Sequence, residues 1–290
     1  MSVTVSSRVA VVTDSVACLP HDLLVQNDIH VIPVRIAAGG REYRDNERDL
    51  PESLIRKFQR AAIIDTTPWP PEHYCRVYED LAGRVSGIVH VVPFARFTST
   101  ISLARAGAAM AEERVRGLRV EVIDSAAVGM TQGFVALAAA HTAARGANME
   151  EILLAAGRVR SSASGLYTFD TLSYLARTGR INRMAAWAGS LLNVIPIVGL
   201  SGGTERSLGL VRSKQQAARR LLDLMRSRVH CGDSLHVAVE ESGRYDEAVA
   251  LLRSIEEQLC PVESMVVRVS PVTQVVAGPG LLGIAFYCDR

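Results

Sequence analysis

The feature that most constrains this chain is the alternation of short apolar runs with helix-spaced segments through its first half. Arg8–Val12 is a β-branched run that gives way to Thr13, Asp14 and Ser15, and Leu19–Gln26 then takes helical spacing with Pro20 near its first turn. Ile29–Ile36 reads as a second strand, Gly39 and Gly40 mark a turn, and Arg41–Leu50 is a polar connection. Leu50–Ala61 is amphipathic, with Leu54, Ile55 and Phe58 on one face. Glu72–Ala82, Thr98–Arg114, Gly129–Ala144 and Met149–Arg160 read as further helices, the last with Asn148 as its N-cap. Between them, Leu118–Ile123 and the apolar run Gly87–Pro93 read as strands, the latter of the kind covered on both faces of a parallel sheet. This order predicts a parallel sheet flanked by helices.

The second half is patterned differently. Gly165–Asp170 reads as a strand, and Thr171–Thr178 as a short helix that Asp170 caps and Gly179 closes. Ala185–Leu192 has helical spacing, Val194–Leu200 and Ser207–Val211 are extended about a Ser201-Gly-Gly203 turn, and Lys214–Arg228 is a long helix. A strand at Ser234–Glu240, a helix at Tyr245–Leu259 and a strand at Ser264–Val269 follow. Gly278-Pro-Gly280 then leads into the apolar run Leu281–Tyr287. The expectation is an α/β protein of two domains: an N-terminal parallel-sheet α/β domain over residues 1–162 and a C-terminal α+β domain over 163–290. A length of 290 residues suits two cores of that size.

Composition narrows the function classes. The formal net charge is +2, and the positive charge is nearly all arginine, interspersed with acidic residues, Lys57 and Lys214 being the only lysines. That pattern gives no nucleic-acid footprint. The cysteines Cys18, Cys75, Cys231, Cys260 and Cys288 are odd in number and widely spaced, which favours reduced thiols over disulfides or zinc. The histidines never fall at metal-ligand spacing, so no metal and no cofactor are expected. Residues 1–10 lack a signal-peptide core, and the longest apolar run, Leu191–Leu200, is broken by Asn193 and Pro196. A cytoplasmic location without membrane insertion is therefore expected.

Three strands run into hydroxyl or acidic residues, at Asp14-Ser15, Thr98-Ser99 and Asp124-Ser125. Open α/β sheets bind ligands at the carboxyl ends of their strands. The same residues also serve as turn and N-cap residues, and both readings stand at this level. Thr66 and Thr67 sit on a loop stiffened by Pro68, Pro70 and Pro71. Hydroxyls and helix N-terminal amides together can hold a carboxylate without a formal counter-charge. No Walker loop, dinucleotide-binding glycine motif or G-x-S-x-G elbow is present, which disfavours nucleotide binding and serine hydrolase chemistry. A hydrolase or transferase acting through Ser125 or Ser15 is the alternative. The densest signal runs from Phe169 to Ile197, where Arg180, Asn182, Arg183 and Asn193 are set among apolar residues that packing alone explains.

At these residues the chain resembles the DegV family of bacterial fatty-acid-binding proteins, which includes the lipid-carrying subunit of fatty-acid kinase. Val12-Thr-Asp-Ser15 with Leu19-Pro20 is similar to the family's opening segment, and Val31-Ile-Pro-Val34 to its second strand. Thr66-Thr67, Thr98-Ser-Thr100 and Val122-Ile-Asp-Ser125 follow in the family's order. The most specific stretch is Asp170-Thr-Leu-x-x-Leu175 with Gly179-Arg-Ile181 and Ser190-Leu-Leu-Asn-Val-Ile-Pro-Ile197, and Val211-Arg212 and Gly278-Pro-Gly280 complete it. The resemblance implies a non-catalytic protein holding a long-chain fatty acid such as palmitate in an apolar tunnel between two domains. Its carboxylate would be held by Thr66 and Thr98, with Thr67 and Ser99 assisting. Arg180 and Arg212 match positions that engage a fatty-acid kinase or its acyl phosphate. Burial of a sixteen-carbon chain at about 0.8 kcal/mol per CH₂ gives roughly 12 kcal/mol before the costs of binding, so the head group needs only orienting contacts. The family's H-x-G-P-G is here Val276-Ala-Gly-Pro-Gly280, so a histidine's charge-assisted contact is lost.

Overall fold

The computed structural model describes residues 8–46, 50–61, 64–180, 194–229 and 234–289. Strands β1 (Val9–Asp14), β2 (Ile29–Ile32), β5 (Gly87–Val92) and β6 (Arg119–Asp124) form an all-parallel sheet in the order β2-β1-β5-β6. The chain steps outward from β1 to β2 and then back past β1 to β5, which puts a topological switch point at the carboxyl ends of β1 and β5. The buried pattern of β5 extends to all six of its residues, the signature of a strand covered on both faces. His90 lies within it. Burial holds His90 as a neutral ring, with its pKa lowered to about 3, and its Nδ1 is 2.7 Å from the Tyr78 hydroxyl.

The Ile29–Ile36 run is two strands rather than one. Pro33 lacks an N–H for the ladder, and beyond it β3 (Arg35–Ala38) leaves the sheet to pair with β4 (Arg41–Arg44) in an antiparallel hairpin. The polar stretch after Gly40 is therefore partly strand. Helix α1 (His21–Gln26) follows Pro20. Helix α2 (Glu52–Arg60) buries Ile55 and Phe58.

The helices build layers. Helices α3 (Pro71–Ala82) and α4 (Thr100–Arg114) cover one face of the parallel sheet through Tyr74, Tyr78, Leu81, Ala104 and Ala108. On the other face lie α5 (Met130–Ala144) and α6 (Met149–Ser162), whose reverse side packs on the second sheet. The burial of α5 nearly all round follows from this central place. Asn148 and Glu151 form a reciprocal capping box at the start of α6.

The second sheet has six strands in the order β11-β10-β12-β7-β8-β9, where β7 is Ser164–Thr168, β8 Ile195–Ser201, β9 Thr204–Val211, β10 Ser234–Glu241, β11 Glu263–Arg268 and β12 Leu282–Asp289. Only β10 and β11 run parallel. Its outer face is covered by α8 (Lys214–Arg226) and α9 (Tyr245–Leu259). The helix α7 (Ser173–Arg177) starts without a side-chain cap; Asp170 instead pairs with Lys214 at 2.9 Å, so it does not cap that helix. Pro271–Ala277 is a helix, α10, which the sequence reading passed over despite a Ser270 cap and Pro271 at its first position. The expected helix at Ala185–Leu192, together with Asn182, Arg183, Asn193 and Cys231, lies outside the described residues. Among the described residues, no helix is long and apolar enough to cross a membrane.

The hairpin and α2 reach over from the first sheet to α10. Ile36, Leu50, Ile55 and Phe58 share a small core with Val272 and Val275, and Gln59 Nε2 donates to the Gln274 carbonyl at 3.0 Å.

Candidate functional site

A cavity enclosing about 1280 Å³, mouth included, opens at the switch point and extends between the two sheets. Asp14, Ile32 and Pro93 contribute from the strand ends of the first sheet. Tyr167, Phe169, Val198 and Leu200 contribute from the second, and Val269, Val272, Val276 and Ala277 from the α10 region. Most of this wall offers no hydrogen bond to a ligand.

Besides the acids Asp14, Glu205 and Glu240, the polar groups of the wall include Thr66, Thr98, Thr100 and Arg180. Each is placed by a local rule. The Thr66 loop is extended by its prolines, and the Trp69 Nε1 donates to the Pro33 carbonyl at 2.7 Å, pinning the loop across the break between β2 and β3. Thr98 Oγ1 accepts from the Thr100 N–H at 3.2 Å and lies 2.7 Å from the Thr100 hydroxyl. Capping and cavity lining are thus one arrangement here, and the positive end of a 15-residue helix faces the cavity.

Arg180 is placed by the end of α7. Gly179, at φ +70°, gives its N–H to the Ala176 carbonyl, and the Arg180 N–H goes to the Leu175 carbonyl, the two bonds of a Schellman turn. This reversal sends the guanidinium to Thr66, 114 residues earlier, where Nη2 donates to Oγ1 at 2.9 Å. Burial pulls the Arg180 pKa down, and no carboxylate among the described residues acts on it. Arg180 thus lines the cavity wall beside Thr66. It brings a full positive charge to the cavity that also holds Val276.

Other expected residues stand apart. Thr67 and Ser99 are exposed and do not line the cavity; the Thr67 N–H is held by Asp65 Oδ1 at 2.7 Å. Arg212 is exposed, and its backbone N–H donates to Gln216 Oε1, so it is not brought to Thr66 or Thr98. Ser15 accepts from the Val34 N–H at 3.0 Å. Ser125 is buried in a local turn with Ala127. Neither serine lines the cavity: Ser15 is turned to the buried Asp45, and Ser125 to its own turn.

Sequence reasoning missed Tyr74, Glu240 and the α10 side chains. Tyr74 sits within the helix expected at Glu72–Ala82, but nothing in its spacing separates core from cavity wall. Glu240 is carried at the end of β10 and aimed at the first turn of α5, where Oε1 accepts from the Met130 N–H at 2.8 Å. Gly129 precedes it at φ +63°, and a Cβ there would meet Glu240 Oε1 at 2.2 Å. Among the described residues, no group of three His, Cys, Asp or Glu is placed to hold a metal ion.

With this geometry in place, comparison with known proteins is informative. The family model described as DegV family COG1307 matches residues 8–289. A DegV domain-containing protein of Streptomyces coelicolor is 32% identical over 281 residues, covering 96% of this chain and 98% of its own. Protein DegV of Bacillus subtilis is 27% identical over 281 residues, covering 96% and 99%. Among solved structures, a fatty-acid-binding DegV family protein of Thermus thermophilus superposes with a TM-score of 0.88 at 27% identity, over 97% of this chain and 100% of that one. The Bacillus subtilis DegV structure, a fatty-acid-binding protein, gives 0.85 at 26% identity over 98% and 99%. The chain belongs to the DegV family.

Proposed function

We propose that this protein binds a long-chain fatty acid, with the carboxylate at Thr66, Arg180 and Thr98 and the acyl chain in the apolar cavity between a first domain of residues 1–162 and a second of 163–290. The observation that carries the reading is the Arg180–Thr66 contact at 2.9 Å in the wall of an otherwise apolar cavity. A half-buried guanidinium with a single hydroxyl partner among the described residues retains N–H donors for an anion. The helix N-terminus at Thr98–Thr100 adds to the same field. Fatty-acid binding by the related Thermus thermophilus and Bacillus subtilis proteins supports the choice of ligand.

The chain carries the ligand and performs no chemistry on it. Its site supplies an anion cradle and an apolar sheath, and its strand-end serines are engaged elsewhere, Ser15 by the Val34 N–H and Ser125 in its own turn. Presentation to a fatty-acid kinase would use the exposed face that bears Arg212, while Arg180 stays with the head group. Denaturing extraction of the purified protein followed by mass spectrometry tests the reading. Recovery of one long-chain fatty acid per protein is expected. Absence of any acyl chain, together with failure to displace a fluorescent fatty acid, would overturn it.

A further inference from the structure

Three carboxyl groups lie in the interior around the cavity with no cation beside them among the described residues. Asp14 ends β1, Asp45 follows β4, and Glu240 is the penultimate residue of β10; they are 4%, 4% and 0% exposed. Each engages one oxygen in the same way. Asp14 Oδ1 accepts from the Val16 N–H at 2.9 Å, Asp45 Oδ1 from the Val272 N–H at 2.7 Å, and Glu240 Oε1 from the Met130 N–H at 2.8 Å. In all three the second oxygen is buried without a hydrogen-bond partner. Two of the bonds cross between the halves of the molecule, in opposite directions. Asp45, from the first half, holds the first turn of α10; Glu240, from the second, holds the first turn of α5.

A carboxylate ion with one amide donor, an orphaned oxygen and no counter-ion is costly to bury, whereas the neutral acid is far less so. The surroundings offer little relief. Asp14 and Asp45 act on each other as like charges. Cys18 faces Asp45 and Glu240, Tyr74 of α3 faces Asp14, and Tyr167 of β7 faces Glu240; burial pushes all three upward, so each is uncharged. Gln132 of α5, Ser15 and Ser270 supply only neutral dipoles. Arg180, held at Thr66, acts on none of the three, and Glu205 of β9, also in the wall, is acted on by Arg96. Burial accordingly pushes Asp14 and Glu240 up to about 7 and Asp45 to about 6.

We propose that closure of the two halves around the cavity takes up protons on Asp14, Asp45 and Glu240, so that the cavity is sealed, and its occupant retained, more firmly at pH 6 than at pH 8. Parting the halves admits water and returns these carboxyls toward ordinary values near 4. The closed state then binds more protons than the open one through the intervening range, and rising pH favours opening. The ligand half of this inference rests on the acyl-binding reading; the closure half does not.

Hydrogen exchange of peptides containing Met130 and Val272, corrected for the pH dependence of intrinsic exchange, reads closure directly. Protection is expected to fall roughly a hundredfold between pH 6 and pH 8 in the wild type and only about tenfold, the share left to Asp14, in Asp45→Asn/Glu240→Gln. In parallel, the Kd for cis-parinaric acid should rise roughly tenfold more over that interval in the wild type than in the double variant, a difference that cancels ionisation of the probe itself. Equal pH slopes in the two proteins would overturn the proposal. Should the double variant not fold, wild-type protection that is the same at pH 6 and pH 8 overturns it alone. Failure of cis-parinaric acid to bind at either pH would overturn the acyl-binding reading and leave the exchange result to decide closure.

Discussion

The cavity wall treats its positive and negative groups in opposite ways. Arg180 is half-buried, contacts one hydroxyl and has no acidic neighbour among the described residues, so its charge is left for a ligand. Asp14 and Glu240 lie in the same wall, yet each is tied by a backbone amide and pushed toward its neutral form. A cavity built to hold an anion on a long apolar body needs this separation. A carboxylate ion beside Arg180 would neutralise the cradle, and an ion along the apolar wall would draw in water. In the proposed reading, the acids act on the architecture and the arginine on the ligand.

Substitutions at the two regions should separate in what they change. The largest effect is expected at Gly129→Ala, where the new Cβ meets Glu240 and the backbone is one only glycine adopts readily; a loss of about 3 kcal/mol of stability should appear in urea unfolding. Arg180→Met should leave unfolding nearly unchanged and weaken fatty-acid binding by about 2 kcal/mol, roughly 30-fold, in a direct titration. Next comes pH. Asp14 and Glu240 have folded-state values raised to about 7, so their stabilising contribution is complete at low pH and is lost as pH rises through that value. Unfolding free energy should drop by roughly 1–2 kcal/mol between pH 6.5 and pH 8. His90, lowered to about 3, works in the other sense: its contribution is complete above about 6.5 and is lost on acidification, which leaves this window to the acids. Thr66→Val should cost about 1 kcal/mol of binding, roughly fivefold. Thr67→Ala and Ser99→Ala should change binding by less than about 0.5 kcal/mol, since neither side chain reaches the cavity. An equal loss at Thr67 and Thr66 would dissolve the distinction between them.

Much of the frame was legible in the sequence because local rules and tertiary packing agreed. The β5 run, the capping box at Asn148 and the extended proline loop each follow from residue chemistry alone. Thr98 at a strand end and Thr66 on its proline loop were also legible as candidates, and both line the cavity. The break at Pro33 was not, because an apolar run on both sides of a proline looks continuous until the sheet's edge is known. Arg180 was singled out correctly as an anomaly among apolar neighbours, but its place beside Thr66 depends on a contact spanning 114 residues. No periodicity carries such information. Glu240 was invisible for a related reason: it reads as the polar end of a strand, and only the packing of α5 against the second sheet shows which amide it meets.

The central claim is that a charged cradle at Arg180 and Thr66 holds the head of a long acyl chain. Its most direct test is an equilibrium titration of delipidated protein with a long-chain fatty acid and, separately, with its methyl ester, which keeps the chain and removes the charge. The account predicts saturable binding of one fatty acid and at least tenfold weaker binding of the ester. Equal affinity for acid and ester, or no saturable binding of either, would contradict it.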